Sequence, residues 1–273
     1  MNLKKFSYAY QRHGLLGFTN VLFGKLGIKK RLKTPIDKVI LQLAKRIEEL
    51  SKNIVQSGIY SQTYLKINKK WSVHDTSSKL LGLYEKEVQD NISNIQNSNN
   101  KKKYFINIGA GEGFHIVSLL KKRFFEFGIA YEIDKSAKKL FISNMEKNNI
   151  SNYKLFDKAE LNFLNNEIYE SKKLDDCLFL IDIEGDELKI LNDQNLNKLK
   201  KSVLIIELHD FIIPSNELLM RLEKNYNILK FTTENRDLSK IKILDIFHDY
   251  EKWLMAQEGR PCKMEWIVCI PKK

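Results

Sequence analysis

With 273 residues, 43% of them hydrophobic, the chain is long enough for one full α/β domain with a substantial core plus an N-terminal extension. No run reaches the roughly 18 apolar residues that span a bilayer, no secretory signal is evident, and Cys177, Cys262 and Cys269 show neither ligand nor Cys-x-x-Cys spacing. A membrane-spanning chain and a disulfide scaffold are thereby excluded, and a cytoplasmic protein with buried, reduced thiols is expected.

The formal charge of +12 is unevenly spread. No acid precedes Asp37, while Lys4, Lys5, Arg12, Lys25, Lys29, Lys30, Arg31 and Lys33 alternate with Phe6, Tyr8, Tyr10, Leu16, Phe18, Leu22 and Phe23. Residues 1–33 thus read as a basic amphipathic arm. It suits an anionic membrane surface at the inner face, a phosphate-bearing substrate, or burial against the protein itself or a second copy in a homo-oligomer. The Lys- and Asn-rich style of the whole chain weakens a nucleic-acid reading of its basic character, and no nucleic-acid partner is expected.

Residues 34–100 read as a helical extension. Ile36, Val39, Ile40, Leu43, Ile47, Leu50 and Ile54 recur at helical spacing behind Thr34-Pro35, an N-cap and first-turn proline. The stretch from Gly58 to Trp71 is ambiguous, and a second helix is expected over 78–95. The polar run 96–103 then marks the start of the core domain, 101–273. From there apolar runs and helical patterns alternate. Strands are expected near 104–108, 129–133, 153–157, 177–183, 203–208, 227–233 and 264–270. Helices are expected over 114–127, 135–148, 160–170, 186–199, 215–224 and 247–256. The sum is a Rossmann-like, doubly wound α/β sheet of seven strands with helices on both faces.

The first strand runs into Asn107-Ile108-Gly109-Ala110-Gly111-Glu112-Gly113, and the second ends at Tyr131-Glu132. Glycines let a loop turn sharply and bring backbone close to a ligand. An acid at the tip of the second strand can accept from both hydroxyls of a ribose. A dinucleotide fingerprint needs G-x-G-x-x-G, but Phe114 occupies the third position and Gly113 comes one place early. The spacing G-x-G-x-G with an acid downstream is that of proteins using S-adenosyl-L-methionine (SAM). Gly109, Gly111 and Gly113 are expected to carry the cofactor loop and Glu132 the ribose, with Asp157 and Ala159 after the third strand beside the adenine.

The fourth strand ends in Ile181-Asp182-Ile183-Glu184-Gly185-Asp186-Glu187 and the fifth in Ile206-Glu207-Leu208-His209-Asp210. Neighbouring strand ends therefore bring ionisable groups to one cleft. Asp182, Glu184 and His209 are the candidate catalytic residues, His209 as base and Glu184 as a ligand or positioning acid, and Glu207 is placed to orient His209. Asp182 also faces the cofactor. The spacing forces no metal, although Asp182, His209 and Asp210 would be its ligands. Arg260 reads either as a contact to an anionic group of the acceptor or as a loop cap. His74, His115 and His248 are assigned no role.

Taken together, NIGAGEG, the YEID strand, IDIEGDE and IIELHDF resemble the FkbM-like family of SAM-dependent methyltransferases, over roughly residues 80–270. Leu81-Gly82-Leu83-Tyr84-Glu85, Arg260-Pro261 and Trp266 add to the likeness. The resemblance implies a class I methyltransferase fold and O-methylation of a sugar or polyketide-type hydroxyl. A nucleotide-linked or lipid-linked glycan precursor, as in surface polysaccharide biosynthesis, is the expected acceptor. Asn107 stands where many such enzymes carry an acid, so charge attraction to the SAM amino group must come from elsewhere. Two rivals are an RNA or protein methyltransferase and a methyltransferase-like module that binds without turnover.

Overall fold

The computed structural model describes residues 34–69, 74–166, 169, 173–209, 215–260 and 264–272, together with Thr19 and Leu22. But for those two residues the basic arm lies outside the described residues, as do Trp71, Asp210, Pro261 and Cys262.

The extension opens with α1 (Pro35–Ser51). Its start is a reciprocal capping box: Thr34 Oγ1 accepts from Asp37 N–H at 3.2 Å, and the Asp37 carboxylate accepts from Thr34 N–H at 2.7 Å. The stripe Ile40, Leu43, Ala44 and Ile47 is buried. Residues 52–69 form turns with one isolated bridge, Ile54 to Tyr64. The expected helix over 78–95 is two helices, α2 (Thr76–Leu81) and α3 (Lys86–Gln96). Gly82 breaks it at φ 80°, and Glu85 starts the next at φ 45°. A Cβ on Gly82 would stand 2.2 Å from Ser57 O, so the break is also a close backbone approach.

Seven strands follow: β1 (Tyr104–Ile108), β2 (Phe127–Tyr131), β3 (Tyr153–Phe156), β4 (Cys177–Ile181), β5 (Val203–Leu208), β6 (Tyr226–Thr232) and β7 (Glu265–Pro271). Their order across the sheet is β3-β2-β1-β4-β5-β7-β6, with β7 antiparallel to both neighbours. Helices α4 (Phe114–Lys121), α5 (Lys135–Lys147), α6 (Glu187–Ile190), α7 (Asp193–Leu199), α8 (Asn216–Leu222) and α9 (Asp249–Ala256) complete the alternation. Central strands β1 and β4 are apolar on both faces because both are covered. Phe105, Leu178 and Leu180 share one core with Ile47, Leu80 and Val88 of the extension, while Ile106, Phe179 and Ile181 pack on the opposite face with Leu196 and Leu222. The extension therefore joins α4, α5 and α9 in one of the two layers over the sheet.

Several expectations shift. Where a helix is expected over 160–170, residues 161–166 hold the 3₁₀ turn Phe163–Asn165, among asparagines whose side chains compete with helical backbone bonds. The helix expected over 186–199 divides into α6 and α7 because Asn192 caps the second, accepting from Asn195 N–H at 2.9 Å. Strands β2 and β4 both end at 131 and 181, two residues earlier than read, which leaves Glu132 and Asp182 just beyond them.

Candidate active site

Register assembles the site. Ile108 pairs with Tyr131 of β2 and with Ile181 of β4, and Ile181 pairs with Ile206 of β5. The residues after these level ends, Gly109, Glu132, Asp182 and Glu207, therefore meet along one edge. Strand order reverses there, with β2 on one side of β1 and β4 on the other, so a crevice opens at the carboxyl ends.

The glycine loop is held from three sides. Gly109, Gly111 and Gly113 have φ of 85°, 56° and 92°, backbone that side chains resist. A Cβ on Gly109 would lie 1.7 Å from Asp182 O, whereas one on Gly111 would meet nothing within 4 Å. Glu132 is buried and accepts from Gly111 N–H and Asp134 N–H, each at 2.7 Å. Burial raises its carboxyl against the pull of those donors. Glu112 is buried too, its Oε1 2.7 Å from Lys79 Nζ of α2 and its carbonyl accepting from Asn144 of α5 at 2.9 Å. Lys79 also lies 2.9 Å from Asp75. Burial works against its ammonium, and the two carboxylates overcome it and raise its pKa.

The other half of the site is built on β4 and β5. His209 is 4% exposed, with Nδ1 2.9 Å from Glu187 Oε1. Its Nε2 stands 3.4 Å from Asp182 Oδ1 and 3.6 Å from Glu184 Oε2. Glu187 Oε1 also accepts from Ile183 N–H at 3.2 Å and Gly185 N–H at 3.3 Å. One carboxylate thus shapes the turn after β4 and orients the imidazole across to β5. Glu187, and not Glu207 as two-residue spacing suggested, is the partner of His209. Burial opposes the imidazolium, but Glu187, Asp182 and Glu184 together raise the His209 pKa. Glu184 holds φ 57°, left-handed backbone for a residue with a side chain, at the cleft. Asp182 is raised to about 6, by burial first and then by the charge of Glu85.

Arg260 sits between three acids: Nε is 2.8 Å from Glu258, Nη1 is 2.7 Å from Glu207, and Nη2 contacts Glu85. Its guanidinium lies 5.1 Å from the Trp266 ring and 5.3 Å from that of Tyr84. It is engaged inside the protein and is not a free contact for an acceptor anion. Glu85 also meets His115 Nε2 at 2.8 Å, and His115 Nδ1 is 2.9 Å from Tyr60 Oη. His115, assigned no role from the sequence, is buried in this network.

Of the expected residues, the structure gathers Asn107, the three glycines, Glu132, Asp182, Glu184 and His209 at one edge. Asn107 is 2% exposed within β1. Ala159 is buried beyond β3, while Asp157 is 84% exposed and paired with Lys138. Asp182, Glu207 and His209 offer ligand atoms within 4.8 Å of one another. Arg260 pairs with one oxygen of Glu207, so that carboxylate is shared between the guanidinium and this cluster. The space over Gly111 is open, and the Glu132 carboxylate, with about four acceptor sites, has room for hydroxyls beyond its two N–H donors.

No protein family and no curated protein matches this sequence. Solved structures with a related chain path include an rRNA methylase from Streptococcus thermophilus, at 11% identity and TM-score 0.46, covering 68% of this chain and 96% of that one. The precorrin-6y C5,15-methyltransferase of Geobacter metallireducens covers 76% of this chain and 94% of its own, at 12% identity and TM-score 0.45. The O-methyltransferase TomG from Streptomyces achromogenes covers 93% and 96%, at 9% identity and TM-score 0.47. Such likeness reaches the path of the chain and no residue of the site. The strand order itself, with one reversed strand inserted next to the last, is the class I methyltransferase fold.

Proposed function

We propose that this chain is a SAM-dependent O-methyltransferase of the FkbM-like kind, acting on a sugar hydroxyl of a nucleotide-linked or lipid-linked glycan precursor. The observation that carries the reading is the juxtaposition, at one sheet edge, of a glycine loop tied to Glu132 with a histidine held by Glu187 and facing Asp182. Gly109, Gly111, Gly113 and Glu132 hold the cofactor, with Asn107 beneath them and Asp157 and Ala159 towards the adenine. When bound, SAM supplies an electrophilic methyl group.

Alignment of the hydroxyl with that methyl does much of the work, because the displacement is in line. Held by these residues, SAM would supply its methyl group to the acceptor oxygen, with S-adenosylhomocysteine as the product. His209 Nε2 receives the hydroxyl proton, and the Glu187 carboxylate steadies the imidazolium. Asp182 and Glu184, on the same side of the ring, accept hydrogen bonds from the acceptor and orient it. A base of raised pKa is matched to a weakly acidic hydroxyl, but it must first lose its own proton. The sequence of residues 1–33 supports a phosphate-bearing acceptor or contact with an anionic membrane surface, and no helix among the described residues is long and apolar enough to cross a bilayer.

Calorimetric titration with SAM and S-adenosylhomocysteine tests the reading, with Glu132→Ala as control. Micromolar binding that the variant loses by about tenfold or more is expected, since the carboxylate bonds two hydroxyls. Methyl transfer to nucleotide sugars or glycan lipids should follow in a labelled-SAM assay. Folded wild-type protein that binds neither ligand would overturn the enzyme assignment.

A further inference from the structure

The amino edge of the sheet carries a cavity of its own. The segments that lead into β1, β2 and β3, residues 101–103, 123–126 and 148–150, line a groove of about 550 Å³. The candidate active site lies at the carboxyl edge, a five-residue strand away, which is about 17 Å on the usual rise of a parallel strand. Five cations line the groove, Lys101, Lys102, Lys103, Lys121 and Arg123, against one acid, Glu126. Leu120, Phe124 and Ile150 supply apolar wall between them.

The frame of the groove is pinned by hydrogen bonds. Gln96 is buried; it accepts from Lys102 N–H at 2.8 Å and donates to the carbonyls of Lys102 and Phe124. Glu126 N–H donates to Lys103 O at 2.8 Å, and Asn152 Nδ2 donates to Glu126 O at 2.7 Å. The three segments are therefore fixed against one another.

Helix ends alone do not explain the charge. Both α4 and α5 finish at the groove in the same two-bond cap. Arg123 N–H donates to Leu120 O and Phe124 N–H to Leu119 O, as Asn149 N–H does to Glu146 O and Ile150 N–H to Met145 O. Carbonyl ends of helices attract cations, and Lys121 Nζ, 3.3 Å from Asn148 O, answers that need. The triplet Lys101 to Lys103 belongs to neither helix. In the cap of α5 the left-handed position holds Asn149 at φ 57°, a residue that tolerates it. In the cap of α4 it holds Arg123 at φ 58°, where glycine is the ordinary choice and a long side chain is disfavoured. Lys102 is tied to Asp175 O and Lys103 stands 3.9 Å from Asp176, whereas Lys101 and Arg123 pair with no acid among the described residues.

The volume exceeds what one phosphate needs and lies within the range of small-ligand sites. Cations from two segments with apolar wall between them suit phosphate charges on an organic body, since charge-assisted bonds to phosphate are the strong ones open to Lys and Arg. We propose that this groove binds an organic phosphate of at least two negative charges, either free in solution or carried as a lipid headgroup. The site is separate from methyl transfer and does not rest on the SAM reading.

The full chain is titrated with inorganic pyrophosphate by calorimetry at low salt, and sedimented with phosphatidylcholine vesicles with and without cardiolipin. Wild-type protein should bind pyrophosphate if the ligand is soluble, and vesicles only with cardiolipin if it is lipid-borne. Lys101→Ala combined with Arg123→Gln breaks no ion pair and should weaken that binding by about tenfold or more, the value of a charge-assisted hydrogen bond. Glu126→Gln removes the one acid of the groove and should tighten the same binding, which keeps the test open if the double variant folds poorly. Wild-type protein that ignores both probes, or affinities that neither variant moves, would overturn the proposal. Vesicle binding that the double variant retains in full belongs to another surface, such as the basic segment 1–33, and overturns it equally.

Discussion

The two halves of the site are held by different physics. The glycine loop is fixed chiefly by close steric fit: backbone geometry that only glycine adopts freely, a carbonyl that leaves no room for a Cβ, and two buried carboxylates that pin the loop. The half on β4 and β5 is fixed by charge. His209 depends on Glu187 from another strand's turn, and Glu85 and Glu207 are brought together by Arg260, 175 and 53 residues away along the chain. Removing a short-range steric fit should break the fold locally and at once. Removing a charge should leave the fold in place and change how it responds to pH.

The largest expected effect is Gly109→Ala. The added carbon overlaps Asp182 O, so β1 and β4 cannot keep their register at this edge, and a loss above about 4 kcal/mol is expected in denaturant unfolding. Gly111→Ala is the control that sharpens the point. Its carbon meets nothing, only the left-handed φ of 56° opposes it, and the cost should be about 1–2 kcal/mol. Equal losses would mean that conformation alone, and not the close approach to β4, fixes the loop.

Next in size is the acid response of the extension. Burial would raise the Glu85 carboxyl, but Arg260 and then His115 outweigh it and hold the group well below the usual glutamate range. A depressed carboxyl contributes stability that is fully present above its unfolded value, about 4.3, and is lost as pH falls towards the folded value. Wild-type unfolding followed by circular dichroism should therefore show stability declining below about pH 4. Glu85→Gln should be less stable at neutral pH by roughly 3 kcal/mol, the cost of unpairing a buried charge, and its stability should fall less steeply in acid. An identical acid slope in the two proteins would show that the Arg260 network contributes nothing through Glu85.

The smallest structural effect and the most specific functional one belong to Glu187→Gln. His209 must be neutral to accept a proton, and its pKa is raised by its acid neighbours, so turnover should rise with pH through a value above the ordinary 6.5 for histidine. Replacing Glu187 removes the first of the neighbours that raise it, so the rising limb should move to lower pH. Above the limb, the rate should drop by about tenfold or more as the ring loses its orientation. A lower rate with an unmoved pH limb would leave Glu187 a structural brace and His209 without a part in proton transfer.

Residues whose meaning is local were legible in advance. Thr34-Pro35 wrote the start of α1, the glycine spacing wrote the loop, and the apolar runs wrote the seven strands that the sheet contains. Gly82 was a visible glycine inside a helical pattern, a signal that read correctly would have split α2 from α3. Asn192 was likewise a capping residue hidden in an apolar rhythm. His115, Arg260 and Glu187 were another matter, since their sequence neighbours carry no trace of the partners they meet.

The sequence by itself determined the sheet, its glycine loop and the acids at its carboxyl edge, because periodicity, turn chemistry and steric limits act between residues close in the chain. Only the tertiary structure decided that Glu187 and not Glu207 holds His209, that Arg260 serves three glutamates, and that Lys79 of the extension pairs with Glu112 of the glycine loop. Those pairings join residues far apart in sequence, and their strength comes from burial, which no linear pattern of residues records.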